Sequence, residues 1–308
     1  MKIVIIGSGK LVKHILKHLP IDIKIFGIYS RNKVRATKLA QSVNAKVYNS
    51  YEDIIFDKTK FDFVYVVTPH TSHFQYAKFC LENDINVLVE KPIVTSVKEI
   101  EELLELQKRS SAYINEAMRS FICDPLNELK EFLIGKKIKE ANFSFSIFRP
   151  IFNPKDRLFN PSLKGGALFD IGIYLVTMSY MFFGVPFSFS ISSTIKNNID
   201  VIDKIVFYYD GFKVNLYTSF YGFKDKIKIV GDDFKVVSSV KGHAASKIKV
   251  KYKNKVKLIK GETSYNEEFR KVYSNILNNL KMNNRINLND NLKIMKIMEE
   301  LDKSIKKD

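Results

Sequence analysis

The first 118 residues alternate continuous apolar runs with longer amphipathic segments. An apolar run without alternation is typical of a strand that is buried on both faces of a parallel sheet. Such runs occupy residues 2–7, 24–30, 45–49, 61–68, 85–91 and 112–118. The amphipathic segments, which predict helices, occupy residues 10–19, 32–43, 71–83 and 96–108. Strands that alternate with helices over short links predict an α/β fold with a doubly wound parallel sheet.

The pattern changes in the second part of the chain. A helix is predicted over residues 125–134, and β-like sequence follows it. Residues 208–220 predict a hairpin around Asp210-Gly211, in which apolar and polar side chains alternate so that one face is buried. Two more segments show the same alternation: residues 226–238 and 247–260. This half is therefore predicted to be rich in antiparallel strands.

Two amphipathic helices are predicted near the C-terminus. The first is lined by Phe269, Val272, Tyr273, Ile276 and Leu280. The second is lined by Ile294, Ile297, Met298, Leu301 and Ile305. A chain of 308 residues exceeds the usual span of one hydrophobic core. We therefore expect two domains, 1–118 and 119–308, with the last helices able to pack back on the first domain.

Charge adds one alternative to this picture. The chain has 50 basic and 33 acidic residues, a formal net charge of +17. Such a charge is compatible with nucleic-acid binding, but lysine is spread over the whole chain, which favours a solvated basic surface. Four lysines alternate with apolar residues in one segment: Lys249, Lys251, Lys255 and Lys257. This pattern fits a basic ribbon for polyanions or an edge hairpin protected from aggregation, and we favour the edge hairpin and expect no nucleic-acid partner.

The setting is predicted from three absences in the sequence. The most apolar segment, residues 171–183, is interrupted by polar residues and shorter than the roughly twenty residues of a membrane span. The first residues lack a signal-peptide pattern. Cys80 and Cys123 offer neither the spacing of a metal site nor a disulfide framework. We therefore expect a protein of the reducing cytoplasm, with no membrane contact and no metal.

A glycine pair stands between the first predicted strand and the first predicted helix. Gly7 suits the tight turn, and Gly9 lets the backbone approach a pyrophosphate. Amides at the helix N-terminus supply donors and partial positive charge. Val12 replaces the third glycine of this motif, which serves packing, so we expect a small helix shift and retained binding. The predicted phosphate-binding residues are Gly7, Ser8, Gly9, Lys10 and Leu11.

The end of the second strand predicts which dinucleotide is bound. NAD enzymes usually carry Asp or Glu there for the ribose 2′-hydroxyl. Here Ser30 is followed by Arg31 and, one turn later, by Arg35, with no carboxylate in reach. A guanidinium suits a 2′-phosphate, so the sequence favours NADP(H) over NAD(H). The alternative is that Arg31 is a solvated loop residue and NAD(H) is used.

Three further segments suggest a family. Residues 66–73 (VVTPHTSH) end the fourth strand, residues 89–93 (VEKPI) end the fifth, and residues 165–174 (GGALFDIGIY) follow in the second half. Together with Gly7 and Gly9, these segments resemble the Gfo/Idh/MocA oxidoreductases over essentially the full length. The resemblance implies an N-terminal Rossmann domain that binds a nicotinamide cofactor. It also implies an α+β C-terminal domain, whose large open, mostly antiparallel sheet forms the substrate cleft and often the oligomer interface.

The resemblance extends to cofactor contacts and to one branch of the family. The implied cofactor contacts are Thr68, Pro69, His70, His73, Glu90 and Lys91. Tyr174 stands where many relatives have His, which is similar to the branch of dihydrodiol dehydrogenase and glucose-fructose oxidoreductase, typically NADP enzymes. Residues 115–120 and 158–174 also resemble that branch. An open sheet face that carries Phe, Tyr and Ile needs cover, so we expect a homodimer or homotetramer.

The resemblance implies that Lys91, Asp170 and Tyr174 carry the reaction. Tyr174 is expected to donate and accept the proton; because free tyrosine has a pKa of about 10, Lys91 would lower that pKa and bind the substrate oxygen. Asp170 would orient the site through Lys91 or a substrate hydroxyl. Asp170 and Tyr174 share a helix face, and Gly172 between them would leave space for a ligand. The alternatives are a surface lysine, a helix N-cap aspartate and a core tyrosine.

The predicted activity is hydride transfer between nicotinamide C4 and a hydroxyl or carbonyl carbon of a sugar, cyclitol or diol. The alternative is a non-catalytic NADP(H)-binding protein that senses redox state. Specificity would come from the β-rich half and from residues 148–164, which carry no motif for one sugar. Glu116 and Arg119 lie at the end of the sixth predicted strand, and the sequence leaves open whether they reach the cleft.

Overall fold

The computed structural model describes residues 1–240, 245–253, 255–261 and 288–305, with single helical positions between 267 and 278. The chain forms two compact units. The first consists of Met1–Ala117 and Phe269–Leu292, and the second of Met118–Glu268 and Lys293–Asp308. That these units serve as cofactor and substrate domains stays a prediction. The residues predicted to line the penultimate helix lie outside the described residues: Phe269, Val272, Tyr273, Ile276 and Leu280.

The first unit contains a six-stranded sheet. Its strands are β1 (Lys2–Ile6), β2 (Lys24–Tyr29), β3 (Lys46–Val47), β4 (Phe63–Val66), β5 (Val87–Glu90) and β6 (Ile114–Ala117). All pairs are parallel, in the order β3-β2-β1-β4-β5-β6. The intervening helices are α1 (Lys10–His18), α2 (Lys33–Ser42), α3 (His73–Glu82) and α4 (Val97–Arg109). The predicted doubly wound α/β sheet is confirmed.

The strand order reverses between β1 and β4, which are neighbours at the centre of the sheet. In sheets of this kind, ligands bind outside the carboxyl ends of the strands at that switch point. The Gly7–Gly9 turn follows β1 and the Thr68–His70 loop follows β4, so both leave the sheet there. Residues Ile3–Ile6 are fully buried, as the continuous apolar run predicts.

The second unit contains an eight-stranded sheet. Its strands are β7 (Ile138–Ser146), β8 (Ser188–Lys196), β9 (Ile199–Tyr209), β10 (Phe212–Ser219), β11 (Asp225–Gly231), β12 (Phe234–Val240), β13 (Lys247–Tyr252) and β14 (Lys255–Lys260). The order is β14-β13-β12-β11-β7-β10-β9-β8, and every pair except β7 with β10 is antiparallel. The predicted large, mostly antiparallel sheet is confirmed.

Helices complete the second unit. They are α5 (Arg119–Ile122), α6 (Asp124–Leu133), a π-helical turn (Leu168–Gly172) that continues into α7 (Ile173–Phe183), and α8 (Leu288–Ser304), of which Leu288–Leu292 belong to the first unit. The residues predicted to line the last helix are all buried: Ile294, Ile297, Met298, Leu301 and Ile305. Their spacing places the first four on one side of α8, as the sequence predicts, and Ile305 directly follows the last residue of the helix.

Both predicted hairpins form. β9 and β10 pair around Asp210-Gly211, with Tyr209 opposite Phe212. β13 and β14 pair in register, and β14 is the last strand of the sheet. The lysines Lys255 and Lys257 of that strand are exposed. The predicted edge hairpin is therefore confirmed, while the interpretation of its lysines as protection from aggregation and not as a ribbon for polyanions stays a prediction.

The two faces of the eight-stranded sheet differ in chemistry. On one face, Phe143 and Phe207 are buried, and α7 packs against β7 and β10. On the other, strand register aligns nine lysines: Lys204, Lys213, Lys226, Lys228, Lys235, Lys247, Lys249, Lys251 and Lys260. Glu140 shares that face, with its Oε1 2.8 Å from the Lys228 Nζ. The sequence predicted an open face that carries Phe, Tyr and Ile. Phe143 and Phe207 lie instead on the buried face, whereas Tyr208 and Tyr217 share the lysine face. The need to cover an apolar open face is therefore a weaker argument for an oligomer, and the homodimer or homotetramer stays a prediction.

One segment, Pro161–Phe183, is long and apolar enough to cross a membrane by length and composition alone. Of its most apolar window, 78% is buried inside the protein. Burial of that kind is what the core helix of a folded domain shows, because its apolar side chains are already covered by protein. We therefore describe the segment as the core helix of the second unit.

Candidate active site

The β1–α1 turn shows why glycine occurs at two of its positions. Gly7 has φ +140°, and a Cβ added there would lie 2.1 Å from the Val67 carbonyl oxygen. Gly7 is therefore required by the close approach of the neighbouring loop. A Cβ added to Gly9 would meet no atom within 4 Å. Packing within the first unit does not explain Gly9, and the open space above it leaves room for a ligand.

Helix α1 begins at this turn with an N-terminus that can receive an anion. Gly9 is the N-cap, and no side chain caps the helix. Lys10 and Leu11 are exposed, whereas Val12 is fully buried against the core. Uncapped amides and the helix dipole favour a bound phosphate at this end. The residues of this turn therefore fit a dinucleotide, and Val12 fills the place of the missing glycine as part of the core.

The end of β2 lies beside the same turn. The Ser30 Oγ lies 2.7 Å from the Ser8 Oγ, and it also accepts a hydrogen bond from the Asn32 amide. Asn32 in turn caps α2 by accepting from the Arg35 amide at 3.0 Å. Arg31 and Arg35 are exposed. This end of the strand thus presents two hydroxyls and two guanidinium groups, which suits a phosphate better than a ribose hydroxyl.

The loop after β4 contains two histidines with different surroundings. Thr68 and Pro69 are half-buried, and His70 is buried. His73 is 0% exposed; its Nδ1 lies 2.7 Å from the Pro92 carbonyl and its Nε2 lies 2.8 Å from the Thr68 carbonyl. Both ring nitrogens of His73 therefore face backbone oxygens. We expect His73 to hold the loops after β4 and β5 together, and the predicted direct cofactor contact through its ring is not favoured.

The Glu90-Lys91-Pro92 turn ends β5. Glu90 is buried and accepts a hydrogen bond from the Tyr65 hydroxyl. Lys91 is half-buried, and the Lys91–Pro92 peptide bond is cis. The alternative of a surface lysine is less favoured, because the residues on both sides of Lys91, Glu90 and Pro92, are buried. Lys91 lies on a turn whose neighbours are buried.

Glu116 lies directly behind this turn. Its Oε1 accepts from the Ile93 amide at 2.8 Å, and its Oε2 accepts from the Asn291 Nδ2 at 2.6 Å. Glu116 is 3% exposed, and burial raises the pKa of its carboxyl to about 7. The residue whose role the sequence left open is thus a buried acceptor beside the Lys91 turn. Arg119, the other, begins α5 in the second unit and is half-buried.

In the second unit, the Gly165-Gly166 pair precedes the helix that carries Asp170 and Tyr174. A Cβ on Gly165 would lie 2.6 Å from the Arg157 carbonyl oxygen. Gly166 has φ +114°, and its Cβ would lie 2.1 Å from the Asp200 Oδ1. The Asp200 Oδ2 accepts from the Leu168 amide at 2.6 Å. Asp200, from β9, therefore caps this helix. Gly166 is required because Asp200 lies so close to it, and Gly165 is required because the loop at Arg157 lies close to it.

Asp170 lies inside the π-helical turn. Its amide donates to the Gly166 carbonyl at 3.1 Å, so the N-cap interpretation of Asp170 is wrong: Asp200 supplies the cap from another strand. Asp170 is 6% exposed, and its Oδ1 accepts from the Arg157 Nη2 at 2.9 Å. The buried carboxylate is thereby paired with a cation, which offsets the cost of its burial.

Tyr174 begins the second turn of the same helix. It is 9% exposed, and its ring packs edge-on against Phe145 at 5.8 Å between centroids. Being four residues apart, Tyr174 and Asp170 lie on the same side of the helix. Gly172 between them has a different role from the one predicted. A Cβ there would lie 3.3 Å from Thr218, so the glycine accommodates β10 and not a ligand.

The structure thus groups the predicted residues within each unit. In the first, the Gly7–Gly9 turn adjoins Ser30, and His73 links Thr68 to the Lys91 turn. In the second, Asp170 and Tyr174 share one helix. Over the described ranges, no group of three or more His, Cys, Asp or Glu could hold a metal ion.

Sequence reasoning did not find Arg157 or Asp200. Arg157 is one of several basic residues in the loop before the Gly-Gly pair, and nothing in the pattern distinguishes it from the others. Asp200 interrupts an otherwise apolar stretch, IDVI, at the start of β9. A carboxylate in a strand that reads as buried is the one signal that could have indicated it.

Comparison with known proteins agrees with this geometry. Residues 1–116 match the model of the Gfo/Idh/MocA oxidoreductase family, NAD-binding Rossmann fold. The scyllo-inositol 2-dehydrogenase (NADP(+)) of Bacillus subtilis is 26% identical over 243 residues, 76% of this chain and 73% of that protein. The trans-1,2-dihydrobenzene-1,2-diol dehydrogenase of Xenopus tropicalis is 31% identical over 170 residues, 54% of this chain. That match spans about half (51%) of the Xenopus protein.

Solved structures extend the likeness of fold to almost the full chain. A 3-ketoreductase from Actinomadura kijaniata, crystallised with NADP and TDP-benzene, superposes with a TM-score of 0.85. The superposition covers 99% of this chain and 97% of the reductase at 16% sequence identity, so it shows a shared fold. The first 116 residues thus match the NAD-binding Rossmann fold of the Gfo/Idh/MocA oxidoreductases, the relatives found by sequence extend the similarity into the second unit, and the solved structures extend the likeness of fold to almost the full chain.

Proposed function

We propose that this chain is an NADP(H)-preferring oxidoreductase that transfers a hydride between nicotinamide C4 and a hydroxyl or carbonyl carbon of a sugar, cyclitol or diol. The observation that carries the proposal is the contrast within the β1–α1 turn. Gly7 is required by the Val67 carbonyl, whereas the space above Gly9 is open. A glycine that packing does not require, at an uncapped helix N-terminus, supports close approach of a pyrophosphate.

The residues around this turn divide the binding of the dinucleotide between them. The amides at the start of α1 would hold the pyrophosphate, beside the Ser8 hydroxyl. Arg31 and Arg35 would bind a 2′-phosphate, since the chain has no carboxylate between Asp22 and Glu52 to accept a ribose hydroxyl. Thr68, Pro69, His70 and Glu90 would line the crevice after β4 and β5. NADP(H) is proposed over NAD(H) on this balance of charge.

The chemistry would be shared by two polar side chains. When bound, the nicotinamide supplies the carbon that takes or gives the hydride. Tyr174 would take the hydroxyl proton when an alcohol is oxidised and return it when a carbonyl is reduced. Lys91 would bind the same oxygen and lower the pKa of Tyr174, because a nearby cation favours phenolate. In either direction one hydride and one proton leave or reach the substrate together.

Asp170 would orient the substrate next to these groups. Asp170 lies one helical turn before Tyr174, and Arg157 holds its carboxylate in place. A carboxylate fixed in this position suits a hydrogen bond to a second hydroxyl of the substrate. The relatives named above act on a cyclitol and a diol, and a D-xylose 1-dehydrogenase (NADP(+)) from Hypocrea jecorina is 30% identical over 171 residues. A polyhydroxylated substrate is proposed for this chain on that similarity.

The proposal includes the setting of the protein. We propose a cytoplasmic enzyme whose partners are its cofactor, a small polyhydroxylated substrate and copies of itself, as a homodimer or homotetramer. The basic sheet face and the spread of lysine over the chain are read as solvated surface, without a nucleic-acid partner. Sedimentation of the purified protein measures the oligomeric state directly.

The test combines binding and turnover. Calorimetric titration with NADPH and NADH measures cofactor preference, and the absorbance of reduced nicotinamide follows turnover. Oxidation is measured with NADP⁺ and a panel of three candidate substrates, which represent the proposed substrate class: scyllo-inositol, D-xylose and trans-1,2-dihydrobenzene-1,2-diol. Turnover of at least one panel member, with tighter binding of NADPH than of NADH, is expected. Tight NADPH binding with no turnover of any alcohol or carbonyl would favour the non-catalytic redox sensor instead.

Arg31→Ala is expected to weaken NADPH binding by about tenfold to a hundredfold and to leave NADH binding within about threefold. A hydrogen bond to a charged group is worth about 1.5–3 kcal/mol, and only NADPH carries the 2′-phosphate. Arg109→Ala is the matched control, because Arg109 is an exposed arginine at the end of α4. Equal losses for both dinucleotides would contradict the assignment of Arg31 to the 2′-phosphate.

Gly9→Ala is expected to weaken binding of NADPH and NADH alike by about tenfold or more, because the added methyl occupies the space that the pyrophosphate approaches. The unfolding temperature of the protein without ligand is expected to stay unchanged, since Gly9 has φ −76° and no atom within 4 Å of its Cβ position. Lys13→Ala, one turn along α1, is the control for a substitution in the same helix that leaves the β1–α1 turn unchanged. Unchanged affinity in Gly9→Ala would remove the observation on which the proposal rests.

A further inference from the structure

The turn that carries Lys91 is held from three sides by buried side chains of the first unit. The Tyr65 hydroxyl of β4 donates to the Glu90 carboxylate before it. His73 of α3 contacts the Pro92 carbonyl at 2.7 Å. Glu116 of β6 accepts from the amide of Ile93, two residues after Lys91. Each contact fixes a different residue next to Lys91, and none of them uses the lysine side chain.

Of these three side chains, Glu116 is the one whose burial is hardest to explain by packing alone. It lies beside Val89 in the register of β5 and β6, at the carboxyl end of the sheet. A carboxylate that is almost fully buried is costly, and a well-packed apolar residue would stabilise the core at least as well. Its two oxygens are instead held by neutral donors, the Ile93 amide and the Asn291 side chain. Asn291 comes from α8, 175 residues away in sequence.

We propose that Glu116 is a positioning residue, which fixes the Lys91 turn through the Ile93 amide and anchors it to Asn291 at the start of α8. The inference rests on the proposed function, in which Lys91 binds the oxygen of the substrate. A lysine has four rotatable bonds, so the position of its backbone decides where the ammonium can reach. A misplacement of about 1 Å at a reacting group can cost about a hundredfold in rate.

The geometry distinguishes what position 116 needs. Both partners donate, so the side chain must offer an acceptor to Ile93. Glutamine keeps that acceptor, and its amide can donate to the Asn291 Oδ1, which is buried and has no partner among the described residues. Alanine removes both contacts and leaves the buried Ile93 amide unpaired. Glu116→Gln is therefore the conservative variant, and Glu116→Ala is the disruptive one.

The experiment measures kcat with the best substrate of the panel above, the Kd of NADPH, and hydrogen exchange at the Ile93 amide. For Glu116→Ala we expect kcat to fall about tenfold to a hundredfold, NADPH affinity to stay within about threefold, and Ile93 to exchange faster. Glu116→Gln is expected to keep kcat within about threefold. Asn291→Ala, a smaller change, is expected to lower kcat in the same direction and serves if Glu116→Ala does not fold.

The control is Glu99→Ala. Glu99 also accepts from a backbone amide, that of Thr95 at 2.8 Å, four residues beyond Lys91. Its loss is expected to lower stability and leave kcat unchanged. An unchanged kcat in Glu116→Ala, or an equal loss in Glu116→Gln, overturns the positioning role and leaves the proposed function standing. A wild-type protein that binds NADPH but converts no panel member overturns the proposed function, and the positioning role with it.

Discussion

Tyr174→Phe is expected to lower kcat by about a hundredfold to ten-thousandfold, with NADPH affinity within about threefold of the wild type. A positioned general acid or base contributes a factor of that size, and phenylalanine lacks the hydroxyl that would move the proton. The fold is expected to tolerate the change. The ring of residue 174 packs against Phe145, and that contact does not involve the hydroxyl.

The matched control lies on the same helix. Tyr180 is six residues further along α7 and is half-buried, so Tyr180→Phe removes a hydroxyl from the same element outside the site. It is expected to keep kcat within about twofold. Steady-state kinetics of both variants, with calorimetric binding of NADPH, separate loss of chemistry from loss of binding. If Tyr174→Phe keeps most of the wild-type kcat, Tyr174 is a core tyrosine and the proton passes through another group.

The sequence predicted the first unit well because its signals are local. Parallel strands buried on both faces are continuous apolar runs, so a run at 61–68 indicated β4, which spans Phe63–Val66. The phosphate turn is equally local, since its glycines are two residues apart and their place between strand and helix is visible in the pattern. Strand boundaries shifted by a residue or two, because the ends of the runs contribute to loops.

The supporting contacts of the site could not be predicted in this way. Glu116 and Asn291 are 175 residues apart, and Asp200 caps a helix that begins 32 residues before it. Each of these residues is an ordinary polar residue in the sequence. It meets its hydrogen-bond partner only once the chain has folded. The same holds for the basic sheet face, where lysines from separate strands align only through register. The resemblance to the family therefore indicated the proposed reacting groups, while the residues that support them could be identified only from the fold.

Asp170 shows how the two kinds of information combine. Its position at the start of an apolar segment suggested an N-cap, which is the ordinary role of such an aspartate. The structure assigns the cap to Asp200, and Asp170 is paired with Arg157 of the loop that precedes the helix. Because Asp200 caps the helix, the carboxylate of Asp170 is not needed for that role. Asp170 lies on the same side of the helix as Tyr174. The glycine pair before it permits this arrangement, because a Cβ on Gly166 would collide with Asp200.

Gly166→Ala is expected to lower the free energy of unfolding by about 3–5 kcal/mol. An alanine at φ +114° costs about 1–2 kcal/mol in backbone strain. Its Cβ would also lie 2.1 Å from the Asp200 Oδ1, and that carboxylate is fixed by the Leu168 amide. Moving it sacrifices a buried hydrogen bond to a charged group, which is worth about 1.5–3 kcal/mol. Urea unfolding followed by circular dichroism measures the sum.

Gly135→Ala separates the two contributions. Gly135 has φ +70° but no atom within 4 Å of its Cβ position, so its substitution carries only the backbone cost of about 1–2 kcal/mol. The excess destabilisation of Gly166→Ala over Gly135→Ala is then the cost of displacing Asp200. An equal loss of unfolding free energy in the two variants would mean that Asp200 moves aside at no cost and does not stabilise the start of the helix. A clear excess, with kcat reduced in the fraction that stays folded, would tie the glycine pair to the placement of Asp170 and Tyr174, because the helix start that Asp200 fixes is the one that carries both.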